Sequence, residues 1–141
     1  MSNTSPQIGY AIKQAQSLLH LRMEEALQPL ELSVSHYSCL FRLRLEPGIS
    51  AAALARRVFM TRQSMNVLLQ QLIDRDLVAR PPVAESGRAL PAELTPAGNR
   101  VLDAAGVAVD AVEHRMLSGL TPAESAALGS GLAACIDALA D

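Results

Sequence analysis

Aromatic side chains are almost missing from this chain. Tyr10, Tyr37, Phe41 and Phe59 are the whole set among 141 residues, and tryptophan is absent. Sheet-rich cores lean on aromatic and β-branched residues. So low an aromatic content, beside 50% apolar residues rich in Ala and Leu, favours close-packed helices. Cysteine is scarce too: Cys39 and Cys135 share no metal-ligand spacing and do not make a disulfide framework. No apolar run approaches the roughly 18 residues of a membrane span. No signal peptide opens the sequence, so the expected setting is a reducing cytoplasm. No phosphate loop, acid pair or nucleophile motif stands out. No catalytic residue, metal or cofactor is therefore expected, and the chain does not read as an enzyme.

A large excess of one charge is missing as well, since the net charge is −2. Its distribution is uneven. From Arg42 to Arg88 eight arginines stand against four acids, a net of +4, and the remainder carries −6. A basic centre between acidic ends suits a local contact with a polyanion. At 15.0 kDa the chain is one domain with a core of moderate size.

The stretch from Thr61 to Arg75 is the most informative. Met65, Leu68, Leu69, Leu72 and Ile73 have the spacing of one buried helical face, and Thr61 is a suitable N-cap. Arg62, Asn66 and Gln70 are four apart and line one outward face, with Gln63 and Ser64 in the first turn. Arg, Gln and Asn pair with guanine or adenine edges in a major groove, and Ser and Thr hydroxyls reach phosphates. Taken alone, the same pattern also describes an ordinary solvated surface helix.

Its surroundings narrow the choice. Ser50 caps a short helix from Ala51 to Val58, with Ile49 before it placed to pack on Leu54 as a hydrophobic staple. Phe59-Met60 is the connection, and the next helix opens at Thr61, which makes a helix-turn-helix pattern. Leu77 to Arg80 reads as a strand, Glu85-Ser86-Gly87 as a turn, and Leu90, Ala92 and Leu94 as a returning strand with Pro91 on an unpaired side. Arg88 on that hairpin could enter a minor groove, and could equally be a solvated arginine or a partner of Glu85.

Upstream, Ile8 to Leu27 is expected to be helical and to stop at Pro29. Ser33 or Ser35 then caps a helix to Leu45, with Tyr37, Leu40, Phe41 and Leu45 inward and a break at Pro47-Gly48. Downstream, Thr95 caps a long helix with Pro96 in its first turn and an apolar face of Leu102, Ala105, Val109, Val112 and Met116. Thr121-Pro122-Ala123-Glu124 is a capping box that opens a last helix, to about Leu139.

In this order the elements resemble the MarR family of transcription regulators over nearly the whole chain. The matching phrases include Pro47-Gly48-Ile49-Ser50, Leu54-Ala55-Arg56-Arg57, Thr61-Arg62-Gln63-Ser64, Asp76-Leu77-Val78, Ser86-Gly87-Arg88 and Leu94-Thr95-Pro96-Ala97-Gly98. The resemblance implies a mainly α fold: a winged helix-turn-helix lobe over 33–95, a small β-hairpin wing, and dimerisation helices over 8–30 and 96–141. It implies a homodimer on an inverted-repeat operator in double-stranded DNA. Ser50, Thr61, Arg62, Gln63, Ser64, Asn66, Arg75 and Arg88 are the expected DNA contacts. It further implies a repressor released by a small aromatic acid such as salicylate. Acidic residues often flank the wing arginine in the family; here Val83 and Gly87 stand in such places and only Glu85 remains.

Lys13, His20, His36 and Tyr37 are the polar groups of the first two helices best able to hold a carboxylate and a phenol. The alternative for each is a solvated or core-packed side chain, because pocket linings are mostly apolar. Cys39 is expected to be a small core residue; oxidant sensing through its thiol, or protein binding by the winged helix, are the competing functions.

Overall fold

The computed structural model describes residues 7–81 and 91–141. Among them are six helices: α1 Ile8–Leu27, α2 Val34–Leu45, α3 Ala51–Arg57, α4 Arg62–Asp74, α5 Pro96–Met116 and α6 Pro122–Leu139. Two short strands, β1 Val78–Ala79 and β2 Glu93–Leu94, pair antiparallel with Val78 opposite Leu94 and Ala79 opposite Glu93. The fold is the expected winged helix-turn-helix with helical ends. The turn and tip of the wing, with Glu85 and Arg88, lie outside the described residues.

Five of the six helices begin on a side-chain cap. The hydroxyls of Ser33, Ser50, Thr61, Thr95 and Thr121 accept from the backbone N–H groups of His36, Ala53, Ser64, Gly98 and Glu124. Each satisfies a donor that the first turn would otherwise leave unpaired, worth about 1 kcal/mol. α1 has no such cap.

The core gathers where α2, α3, α4 and the start of α5 meet. Leu27, Leu40, Leu54, Met65, Leu69, Leu72 and Val78 are its largest fully buried side chains. α5 enters close against β1: Gly98 faces the Leu77 carbonyl so tightly that a methyl group there would collide with it. The same carbonyl accepts the Thr95 amide at 3.1 Å. Arg44 joins α2 to α5, donating to Asp103 at 2.7 Å and to the Asn99 carbonyl at 2.9 Å.

Two expectations for the core need correction. Cys39, Leu40 and Leu43 form the buried face of α2, whereas Phe41 and Leu45 are exposed. Tyr37, Phe41 and Leu45 are four apart and form a separate stripe beside the buried one, with Tyr37 and Phe41 stacked at 6.1 Å. On α4, Ile73 is half-buried at the edge of the stripe made by Met65, Leu68, Leu69 and Leu72.

α6 is apolar yet buries no residue against the chain. Leu128, Leu132, Ile136 and Leu139 are exposed on it, as are Ile8, Ile12 and Leu18 on α1. Among the described residues no helix is long and apolar enough to cross a membrane.

Candidate nucleic-acid interface

α4 stands on the core by one stripe and turns the rest of its surface outward. Arg62, Gln63, Ser64, Asn66, Val67, Gln70, Gln71 and Asp74 are all exposed. At about 100° per residue, the positions opposite the buried stripe are Gln63, Val67, Gln70 and Asp74. Arg62 and Asn66 lie on one flank of that arc, and Ser64 and Gln71 on the other. Among the described residues none hydrogen-bonds to the side chains of Arg62, Gln63 or Asn66, so their donors are available to a ligand. The Thr61 and Ser50 hydroxyls already accept amides at 3.0 and 3.1 Å. Each still has an O–H to donate, as a phosphate contact requires.

A shallow groove of about 160 Å³ runs beside this arc, lined in part by Ser50, Asn66, Arg80 and Pro91. It brings the N-termini of α3 and α4 next to the base of the wing. Arg80 was not among the expected contacts. Its place in the basic stretch was visible in the sequence, but its nearness to Asn66 depends on the strand pairing.

Arg75 is placed differently from expectation. Its guanidinium reaches back across 44 residues and donates to the carbonyls of Glu31 at 2.6 Å and Leu30 at 3.3 Å. Those carbonyls close the turn after α1, where Glu31 has a left-handed backbone, and a planar fork satisfies both. Arg75 therefore holds α4 to the end of α1. Arg88 lies outside the described residues.

Three of the four expected ligand residues engage different partners. His36 hydrogen-bonds to the Ser33 backbone nitrogen and to Gln71, both at 3.0 Å, and so faces α4. Tyr37 faces α5: its phenol is pushed above the ordinary value by burial, then by Asp110 and Glu113, against a smaller opposing effect of Arg44. His20 sits 3.3 Å from Glu24, whose other oxygen accepts the Val34 amide at 3.0 Å. Lys13 shares the His20 face of α1. A cavity of about 410 Å³ opens on the opposite face of α1, lined by Ala15, Leu18, Leu19, Arg22, Val112, Arg115 and Met116. It is mostly apolar with two guanidinium groups, and none of the four expected residues lines it. Arg22 is partly neutralised by Glu25 at 2.7 Å.

Cys39 is fully buried, and desolvation pushes its thiol up to about 12. A thiolate is the nucleophile toward oxidants, so burial and a raised value fit the expected role as a small core residue. Cys135 is exposed on α6.

Helix-turn-helix, paired strands at the base of a wing, and a polar outward arc on the second helix define a winged-helix protein of the DNA-binding type. The chain belongs to the MarR family. A MarR family model matches residues 30–89. The HTH-type transcriptional repressor Rv2887 of Mycobacterium tuberculosis is 40% identical over 114 residues, covering 81% of this chain and 82% of the relative. A repressor of Mycobacterium bovis matches to the same extent. The crystal structure of Rv2887 with salicylic acid superposes with a TM-score of 0.78 at 35% identity, covering 96% of this chain and 99% of that one. Rv2887 in complex with DNA gives 0.79 at 34%, covering 93% and 98%. MarR of E. coli, at 20% identity, shares the fold, with a TM-score of 0.79.

Proposed function

We propose that this chain is a cytoplasmic, homodimeric repressor that binds an inverted repeat in double-stranded DNA and is released by a small aromatic carboxylate. The observation that carries the reading is the outward surface of α4, where Arg62, Gln63 and Asn66 have no side-chain hydrogen bond among the described residues and are suited to base edges. Ser50, Thr61, Ser64, Arg80 and Arg88 are assigned to the phosphates and the minor groove. A relative covering most of the chain has been crystallised with DNA, and also with salicylic and p-aminosalicylic acids. The reading assigns no catalytic residue.

Dimerisation is supported by α6. A helix that leaves Leu128, Leu132, Ile136 and Leu139 exposed gains by burying them in a second copy. Two α4 helices about one DNA turn apart would then address the two half-sites.

For the inducer, the cavity between α1 and α5 is the better candidate. It is apolar on its walls and carries Arg115, a carboxylate partner beside the space for a ring. Lys13, His20, His36 and Tyr37 do not line it. Calorimetry of salicylate on the free protein and on the DNA complex tests the coupling. A hundredfold release corresponds to about 2.7 kcal/mol, and DNA must weaken salicylate by the same factor. Equal affinity in both states would make salicylate a passenger. Arg115→Ala should weaken salicylate while Lys13→Ala should not; the reverse would return the site to the first helix's other face.

A further inference from the structure

Val67 is out of keeping with its neighbours. It is 55% exposed at the middle of α4, on the arc that points farthest from the core. Around it are Gln63 and Gln71 one turn away, Gln70 three residues on, and Asn66 adjacent, all polar and exposed. A β-branched residue does not favour the helix at an exposed position, where Gln, Glu or Lys would serve better. Nor does it bury the chain's own surface as the Met65 stripe does. It lines a surface groove with Ser35, Met60 and Gln71, and about half of its surface is left to whatever the arc meets.

The occupant argued for this arc is DNA, and the inference rests on that reading. The stretch around it has a net charge of +4, complementary to a phosphate backbone. Base edges in a major groove present one apolar group, the 5-methyl of thymine. The side chains flanking Val67 suit the same base pair: the amides of Gln63 and Gln70 match the N6 and N7 of adenine. Gln70 is partly pre-aimed, since its Nε2 donates to Asp74 at 2.9 Å and its oxygen remains open.

We propose that Val67 reads the 5-methyl of a thymine in each half-site, with glutamine on adenine beside it. The preferred duplex is first selected from random sequence with the full chain. Each thymine is then replaced by 2′-deoxyuridine, which deletes only the methyl. At one symmetry-related position wild type should lose about fourfold per half-site, as for burial of one methyl-sized group. Val67→Ala should bind the thymine duplex more weakly and show no further loss on the uracil duplex. Circular dichroism verifies that the variant is folded.

If no thymine shows the loss, or Val67→Ala still discriminates thymine from uracil, the inference is overturned while the DNA-binding reading stands. A variant that binds DNA like wild type also overturns it, and would direct Val67 to a protein partner. Failure of wild type to select any duplex overturns both.

Discussion

His36 bridges the start of α2 to Gln71 on α4. Its Nε2 lies 3.0 Å from the Gln71 Oε1, and its Nδ1 lies 3.0 Å from the Ser33 backbone nitrogen. The Ser33 N–H can only donate, so Nδ1 accepts and Nε2–H donates to the glutamine. The ring thus completes the capping box of α2 and fixes one flank of α4.

His36→Ala should therefore cost about 1 kcal/mol of stability in urea unfolding, through the lost cap and cross-helix bond. Salicylate affinity should not change. A weaker inducer affinity at unchanged stability would instead place His36 in the ligand site.

Phe59 supplies a second prediction. It is 97% exposed and sits in the left-handed backbone region at φ 57°, in the turn between α3 and α4. The Met60 amide bonds back to Ala55 at 2.9 Å, so Phe59 occupies the position after a helix end that glycine usually takes. Left-handed backbone costs a side chain about 1–2 kcal/mol, while glycine's extra freedom in the unfolded chain costs roughly 0.4–1. Phe59→Gly should raise stability by about 0.5–1 kcal/mol, read as a higher urea midpoint with unchanged slope. A lower midpoint would mean that the ring packs on the chain.

Much of this fold was legible because its signals are local. Ser33, Ser50, Thr61, Thr95 and Thr121 each announce a helix start within four residues, and each is the observed cap. The site was less legible where it depends on contacts across the chain. Nothing near Arg75 reveals that Leu30 and Glu31 need its guanidinium, and nothing near His36 reveals Gln71. Spacing did place Arg62, Asn66 and Gln70 together. Finding the centre of the outward arc, with Val67 on it, required knowing which residues are buried.

Cys39 gives a prediction with a definite sign. Its folded value of about 12 stands above the ordinary 9.0. The unfolded chain therefore loses the thiol proton first as pH rises. The contribution is fully present below about pH 9 and is lost between there and pH 12, so stability should fall with rising pH across that window. Tyr37, also raised by burial, acts in the same direction from its ordinary 10.0. Cys39→Ala should flatten part of the alkaline slope. At pH 8 a thiol reagent should spare Cys39 in the folded protein and label it once urea unfolds the chain. Rapid labelling of Cys39 in the folded protein would contradict the buried assignment.

Ligand-released DNA binding is tested most directly by a fluorescence-anisotropy titration of a duplex from upstream of the gene, at several salt concentrations, with and without salicylate. A homodimeric repressor should saturate at two chains per site, bind at least a thousandfold more tightly than to random duplex, and weaken steeply with salt. Saturating salicylate should weaken binding about a hundredfold, and Arg62→Ala should cost about 1–3 kcal/mol with relaxed base preference. Binding no tighter than to random duplex, for a duplex that carries an inverted repeat, with no response to salicylate or to Arg62→Ala, would contradict ligand-released DNA binding.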